Sequence, residues 1–254
     1  AAAASHTGSL AGAVKIYGAA FKQAGVIQAT DLDDLFDRVL ALSIQPPMQG
    51  DNLLVLTNGG GVGVLATDAA ERCGLPLHFA PEDVQTELRK HMPEFGSAKN
   101  PVDMTGMAGN EWYYETTHFA IGHPWTHGLV VLYCETAMTN PQQIAEAIKR
   151  AIDEADVKGK PVTVSFVGGE RSDKAIQWLV EQGIPAFGAP DRAVNAIATL
   201  REYTRLRESI KDPAVSCGDV DSAAARKLIA KARAEKRSTL TRSKPSRSLS
   251  YTGY

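Results

Sequence analysis

Residues 53–64 read LLVLTNGGGVGV, and this stretch decides the fold. Four apolar residues in a row, closed by a turn signal, are typical of a strand that is buried on both faces. Gly59, Gly60 and Gly61 then allow a tight turn, and a helical pattern follows as far as Gly74. A buried strand that runs through a short turn into a helix is the repeating unit of a parallel sheet.

The same unit recurs along the chain. Apolar runs predict four further strands, and each is followed by a helix: Leu77–Phe79, Gly128–Cys134, Pro161–Val167 and Pro185–Gly188. Five such strands predict an α/β fold, a flavodoxin-like doubly wound parallel sheet of five strands in the order 2-1-3-4-5. The stretch KNPVDMTG at 99–106 is predicted to be a loop.

Three regions follow from the changes of pattern. Residues 1–50 are predicted to form a loop and a two-helix connector from a preceding domain, residues 51–210 the doubly wound domain, and residues 211–254 a linker helix and a disordered basic tail. The second connector helix starts with Thr30 as its cap. Its apolar face, which we expect to be buried, comprises Leu32, Leu35, Phe36, Val39 and Leu40.

Composition narrows the class of protein. The chain has 254 residues, 44% of them hydrophobic, and a net charge of −2, which favours neither nucleic acid nor a membrane surface as a partner. No apolar run approaches the roughly 18 residues of a membrane span. Three separated cysteines predict reduced thiols in the cytoplasm. His118, His123 and His127 do not share one helical face, so we predict no metal site.

The glycine turn after the first strand is the candidate binding site. In an open α/β sheet, ligands lie beyond the carboxyl ends of the strands, at the point where the strand order reverses. The N–H groups of the turn and the dipole of the helix after it attract an anion, so we predict phosphate binding by Asn58, Gly59, Gly60, Gly61 and Val62. The alternative is a plain connecting turn. No Lys-Ser or Lys-Thr follows, so this is not a P-loop.

Other residues near the carboxyl edge are less decisive. A second glycine turn, Gly168-Gly169, predicts a further phosphate contact. Glu135 follows the third strand, where it either contacts a ligand or caps the next loop, and Asp103 is expected to bond local backbone N–H groups.

Gly61–Ala66 also fits G-x-G-x-x-A, the dinucleotide pattern. That pattern needs an acidic residue at the end of the second strand, where Ala80 and Pro81 stand in the predicted arrangement. A dinucleotide-binding domain therefore remains a weaker alternative.

Several motifs in order resemble one family. They are SHTGSLAG, AGVIQATDLDDLFD, LTNGGGVGVLATDAAERCGL, NPVDMTG, FVGG and GIPAFGAPDRAVNAIATLREY, which together span about residues 1–235. The chain resembles the NDP-forming acyl-CoA synthetases, whose usual representative is ADP-forming acetyl-CoA synthetase. The resemblance implies the reaction acyl-CoA + ADP + phosphate to acid + CoA + ATP, through an acyl phosphate and a phosphohistidine. It implies that His6 is this histidine and that the glycine turns receive its phosphoryl group.

The resemblance also implies the surroundings of the chain. We expect a piece of a longer, oligomeric enzyme that is inactive alone, with a CoA-binding domain upstream and an ATP-grasp domain or subunit as partner. Mg-ADP or Mg-ATP, CoA and phosphate are then substrates, and no cofactor is bound tightly. A non-catalytic anion-binding or docking module, as in related protein lysine acetyltransferases, is the alternative.

Overall fold

Five parallel strands form one sheet in the computed structural model, which describes residues 14–211 and 221–236. They are β1 (Leu53–Thr57), β2 (Val102–Asp103), β3 (Gly128–Cys134), β4 (Val162–Val167) and β5 (Ala186–Phe187). Their order across the sheet is β2-β1-β3-β4-β5, with every neighbouring pair parallel. The predicted doubly wound topology is therefore confirmed.

Two helices come before the first strand, and at least one helix follows each strand. They are α1 (Val14–Gln23), α2 (Leu32–Ile44), α3 (Gly60–Arg72), α4 (Glu82–Leu88), α5 (Asn110–Gly122), α6 (Pro141–Ala155), α7 (Glu170–Glu181), α8 (Pro190–Lys211) and α9 (Ser222–Ala234), with a 3₁₀ turn at Arg89–His91. Local signals set several ends. Asn140 caps α6 and Pro141 opens it. The cap of α2 is Asp31 rather than the predicted Thr30.

The core lies on both faces of the sheet because successive side chains of a strand point in opposite directions. Leu54, Leu56 and Val131 belong to the cluster beneath α4–α7. Leu53 and Val55 belong to the other cluster, which α2, α3 and α8 cover. All five residues of β1 are buried, which explains why its sequence is a continuous apolar run.

The predicted position of the second strand is wrong. Residues 77–79 form no strand, and the side chain of Phe79 is 72% exposed. The strand beside β1 is instead Val102–Asp103, inside the stretch predicted to be a loop, where it pairs with Leu56 and Thr57. A strand of two residues that follows a proline carries no periodic apolar pattern, so the sequence signal favoured the longer run.

The side chain of Asn100 joins the two candidate segments. Its Nδ2 donates to the carbonyl of Leu53 at 2.7 Å and to that of His78 at 2.9 Å. Its Oδ1 accepts the N–H of Val55 at 3.0 Å. One buried amide therefore satisfies the edge of β1 and holds residue 78 in place without a strand.

Helix α2 turns most of the predicted apolar face away from the domain, whereas Leu40 of that face packs against the core cluster as predicted. Asp37 and Ala41 are buried, whereas Leu32, Phe36 and Val39 of the predicted face are 71%, 67% and 53% exposed. The carboxylate of Asp37 accepts two hydrogen bonds from the guanidinium of Arg192, each 2.7 Å long. A polar contact thus holds α2 against α8.

The chain divides into two units, Ala1–Arg207 and Glu208–Tyr254. In the second unit, Asp221 caps α9 by accepting the N–H of Ala224 at 2.9 Å. The tail predicted to be disordered lies mostly outside the described residues, and so does His6. Among the helices that the structure describes, none has the length and apolarity needed to cross a membrane.

Candidate functional site

The carboxyl ends of β1 and β3 meet at the reversal of strand order, and this edge carries the candidate site. Glu135 directly follows β3, and its backbone N–H still pairs with Val167 of β4 at 2.9 Å. The first glycine turn, 58–61, follows β1, and the second, Gly168-Gly169, follows β4. The structure therefore brings both predicted glycine turns to one edge of the sheet.

Helix α3 begins without a side-chain cap. Its N-cap is Gly59, and the N–H of Gly59 donates to Oγ1 of Thr57 at 3.0 Å. The N–H groups in the first turn of a helix have no acceptor within that helix. In α3 these are the N–H groups of Gly60, Gly61 and Val62. Gly60 and Gly61 are exposed, and a Cβ added at Gly61 would meet nothing within 4 Å. The start of α3 is therefore open to an anion from solvent.

Asn58 positions this turn. Its Nδ2 donates to the carbonyl of Cys134 at 2.9 Å, and its Oδ1 accepts the N–H of Cys134 at 2.7 Å. The residue is only 2% exposed. Both heavy atoms of the amide are thus engaged with β3, so the side chain holds the turn in place; phosphate binding by Asn58 stays a prediction.

The second glycine turn already holds a carboxylate. Oε2 of Glu135 accepts the hydroxyl of Ser172 at 2.8 Å and the N–H of Gly169 at 3.3 Å, and Oε1 accepts Nε of Arg171 at 2.9 Å. A Cβ at Gly168 would clash with Glu135 and Ser172. The carboxylate of Glu135 thus lies at the start of α7, beside the turn for which a phosphate contact is predicted. The sequence marked Glu135 as a residue of this edge, but not its partners in α7.

This arrangement makes a prediction for pH. The hydroxyl of Ser172, with Arg171 and Gly169, holds the pKa of the Glu135 carboxyl below its ordinary value. Because the pKa of this carboxyl is lower in the folded protein than in the unfolded chain, its ionised form stabilises the folded state. This stabilisation is present in full at pH values above the pKa of the unfolded chain, and it is lost as the pH falls through the pKa of the folded protein. We expect Glu135→Gln to have a lower melting temperature than the wild type at neutral pH. This difference in melting temperature should become smaller as the pH falls below about 4.3, the ordinary pKa of a glutamate.

The measurement is thermal unfolding of both proteins across that range. Glu94→Gln, at an exposed position, is the control and should leave the curve unchanged. A constant gap between Glu135→Gln and wild type down to the lowest pH would contradict the assignment.

Asp103 ends β2 beside the first turn. Its Oδ1 accepts the N–H of Thr105 at 2.9 Å, the local backbone bond that was predicted. Thr105 has a φ of 71°, which is rare for a β-branched residue and marks strain at this edge. A Cβ at Gly60 would lie 3.1 Å from Oδ2 of Asp103, so a negative charge stands close to the start of α3.

Asp103 also bears on the dinucleotide alternative. An acidic residue does end the second strand, contrary to the predicted arrangement, which placed Ala80 and Pro81 there. It lies 42 positions beyond Gly61 (103 − 61), whereas the dinucleotide pattern places this residue about 20 positions on. It also lies beside the helix start itself, which is the place of the phosphates rather than of the ribose.

The histidines of the described region are dispersed. His123 contacts Asp83 at 3.5 Å, and Nδ1 of His127 accepts the N–H of Asn52 at 3.2 Å. Within residues 14–211 and 221–236, no three or more His, Cys, Asp or Glu side chains are grouped to hold a metal ion.

Comparison with known proteins identifies related sequences and structures. Residues 53–210 match the Ligase-CoA domain family, and residues 1–42 match the succinyl-CoA ligase like flavodoxin domain. The alpha subunit of ADP-forming acetate–CoA ligase I from Pyrococcus furiosus is 47% identical over 211 residues, covering 83% of this chain and 45% of that protein. ADP-forming acetate–CoA ligase I from Archaeoglobus fulgidus is 35% identical over 213 residues, covering 83% and 30%.

A solved structure agrees with these relatives. The dinucleotide forming acetyl-coenzyme A synthetase 1 of Ca. Korarchaeum cryptofilum, in complex with phosphate and ADP, aligns with a TM-score of 0.80 at 46% identity, covering 84% of this chain and 46% of that one. The chain spans less than half the length of these relatives. It belongs to the Ligase-CoA domain family, which confirms the resemblance of its motifs to the NDP-forming acyl-CoA synthetases.

Proposed function

We propose that this chain is part of an ADP-forming acyl-CoA synthetase, in which the start of α3 receives the phosphoryl group that His6 carries. The observation that supports the proposal most directly is the uncapped, exposed first turn of α3. The names of the relatives, ADP-forming acetate–CoA ligases, support the reaction. The residues that we assign to phosphate binding are Gly59, Gly60, Gly61 and Val62, with Asn58 holding the turn.

The proposed reaction requires two things from this chain, a nucleophile and fixed hydrogen-bond donors. A neutral imidazole nitrogen of His6 attacks the phosphorus of an acyl phosphate, the bond between phosphorus and the acyl oxygen breaks, and the carboxylate leaves. The phosphoryl group then bears two or more oxygens that carry negative charge. Fixed N–H donors at a helix start stabilise this charge, because they need no rearrangement when the phosphohistidine arrives. Asp103 beside Gly60 opposes binding and thereby favours release.

Several parts of the proposal concern the complete enzyme. We propose an ATP-grasp domain or subunit that exchanges the phosphoryl group with Mg-ADP, a CoA-binding domain, and a cytoplasmic, oligomeric assembly. Gly168 and Gly169 take a supporting role, since Glu135 holds their turn in shape. The division into 1–50, 51–210 and 211–254 is the corresponding domain plan.

Phosphotransfer to His6 tests the proposal. The chain is mixed with the ATP-grasp subunit of a relative, labelled ATP and magnesium, and label that is labile to acid and stable to base is measured. We expect label in the wild type and none in His6→Ala. His78→Ala, which changes an exposed histidine, is the control and should be labelled normally. Equal labelling of His6→Ala would contradict the assignment. Phosphate binding without any labelling, also in a longer chain, would favour the non-catalytic module.

A further inference from the structure

A cavity of about 330 Å³ lies at the end of α3, at the opposite end of that helix from the glycine turn. Four arginines line it, Arg38 of α2, Arg72 of α3, and Arg201 and Arg205 of α8. We call it the arginine cavity. Its volume is at the lower end of the range of small-molecule sites, roughly 300–1,000 Å³. It shares no residue with the phosphoryl site proposed above.

Two of the four arginines have structural partners. Oδ1 of Asp51 accepts Nε of Arg201 at 2.5 Å and Nη2 of Arg205 at 2.8 Å. Nη1 of Arg205 also donates to the carbonyl of Gly74, just after the end of α3, at 3.3 Å. These bonds hold α8 against the start of β1 and the end of α3, so both side chains have a role without a ligand.

The other two arginines have donors to spare. The guanidinium of Arg72 makes no hydrogen bond or ion pair within residues 14–211 and 221–236. Arg38 donates from Nε to Asp34 at 2.8 Å and from Nη1 to Thr199 at 3.1 Å, but its Nη2 has no hydrogen-bond acceptor in the same ranges. Nδ2 of Asn195, which also lines the cavity, donates to none of these residues either. Donors from three helices therefore point to an absent acceptor.

The charges around the cavity favour a phosphate over a single carboxylate. The four guanidinium groups face three carboxylates, those of Asp34, Asp51 and Glu202, which leaves one positive charge in excess. A phosphate group carries up to two negative charges and three strong acceptor oxygens. Guanidinium groups match these oxygens with their forked donors. Leu75 and Ala198, which are buried in the wall of the cavity, offer apolar contact to the rest of a small molecule.

We propose that the arginine cavity binds a small molecule that carries two linked phosphate groups. Arg72, Arg38 and Asn195 donate to its oxygens, and Leu75 contacts its remaining part. Two linked groups are needed because the spare donors belong to α2, α3 and α8, which one phosphate cannot serve together. This inference does not depend on the phosphoryl chemistry proposed above.

The thiol of Cys73, in the wall of the cavity, is a natural reporter of occupancy. It donates to Oδ1 of Asn195 at 3.0 Å, and burial raises its pKa, so alkylation by iodoacetamide is followed at alkaline pH by peptide mass spectrometry. Inorganic pyrophosphate is the probe. At a concentration about ten times its Kd we expect Cys73 to react about tenfold more slowly, because only the empty cavity reacts.

Two substitutions assign this protection to the cavity. Arg72→Gln removes an exposed side chain without a partner and should leave the fold intact, while roughly tenfold more pyrophosphate is needed for the same protection. Arg89→Gln, at an exposed arginine on the 3₁₀ turn, is the matched control and should be protected like the wild type.

Several results would overturn the proposal. They are no protection of Cys73 by pyrophosphate, equal protection by sodium chloride at the same ionic strength, and unchanged protection in Arg72→Gln. Inorganic phosphate that protects at the same concentration as pyrophosphate would exclude the second phosphate group. Gly61→Val, which alters the start of α3, should keep the protection of Cys73; its loss there would assign the ion to the glycine turn instead.

Discussion

Replacing Gly61 by valine is expected to reduce phosphoryl transfer through His6 by about 100-fold, the loss typical of removing donors that stabilise developing charge. The new side chain would enter open space, since nothing lies within 4 Å of a Cβ at this position. It would therefore leave the fold intact while its methyl groups keep a phosphate away from the N–H groups of the first turn. Valine is also at least as compatible with a helix as glycine.

The isolated chain allows this to be measured without the rest of the enzyme. Inorganic phosphate is titrated into the wild type and into Gly61→Val, and backbone amide shifts are followed by NMR. We expect shifts at Gly60, Gly61 and Val62 in the wild type, none at Gly169, and none in the variant. Gly122→Val, at another exposed helical glycine with open space around it, is the control. If phosphate shifts the same backbone amides in Gly61→Val as in the wild type, the start of α3 is not the binding site.

Replacing Asn100 by alanine should lower the free energy of unfolding by about 2–4 kcal/mol, because it leaves the buried N–H of Val55 and carbonyl of Leu53 without partners. The effect is large because Asn100 is itself buried and its amide serves β1, a strand whose five residues are all buried. Urea denaturation at constant temperature gives the value, provided that the slope with urea is the same in both proteins.

Asn110→Ala is the matched control for Asn100→Ala. Asn110 is exposed at the start of α5, and its amide makes only a long contact, 3.5 Å, with Glu111. We expect its effect to stay within about 0.5 kcal/mol of the wild type. A loss below about 1 kcal/mol for Asn100→Ala would mean that water replaces the amide and that residues 78 and 100 are not held as described.

The strands with continuous apolar runs could be predicted from the sequence. β1, β3 and β4 are buried on both faces, and this burial is what makes their sequences read as unbroken apolar stretches. The order 2-1-3-4-5 followed because few topologies suit five alternating strands and helices. The glycine turn before α3 could be predicted for a similar local reason, because its three glycines are consecutive in the sequence.

β2 and the orientation of α2 could not be predicted in the same way. The pairing of Val102 and Asp103 is fixed by Asn100, whose partners lie 22 to 47 positions away, and no local pattern records such contacts. α2 has an apolar face that the sequence shows clearly, but periodicity does not say which neighbour will cover it. The carboxylate of Glu135 in the second turn is a third case, because it requires knowledge that β3 and α7 are neighbours.

The amide of Asn58 has a consequence for how long a phosphoryl group can stay. Beyond the last pair of β1 and β3, Thr57 with Leu132, the two bonds to Cys134 keep the crevice at the strand reversal closed. Doubly wound proteins that retain a nucleotide lodge it in this crevice. A phosphoryl group bound as we propose, at the exposed start of α3, would therefore lie outside this crevice. Such a site suits transient binding of a phosphoryl group that is passed on quickly, because tight binding would slow the next transfer.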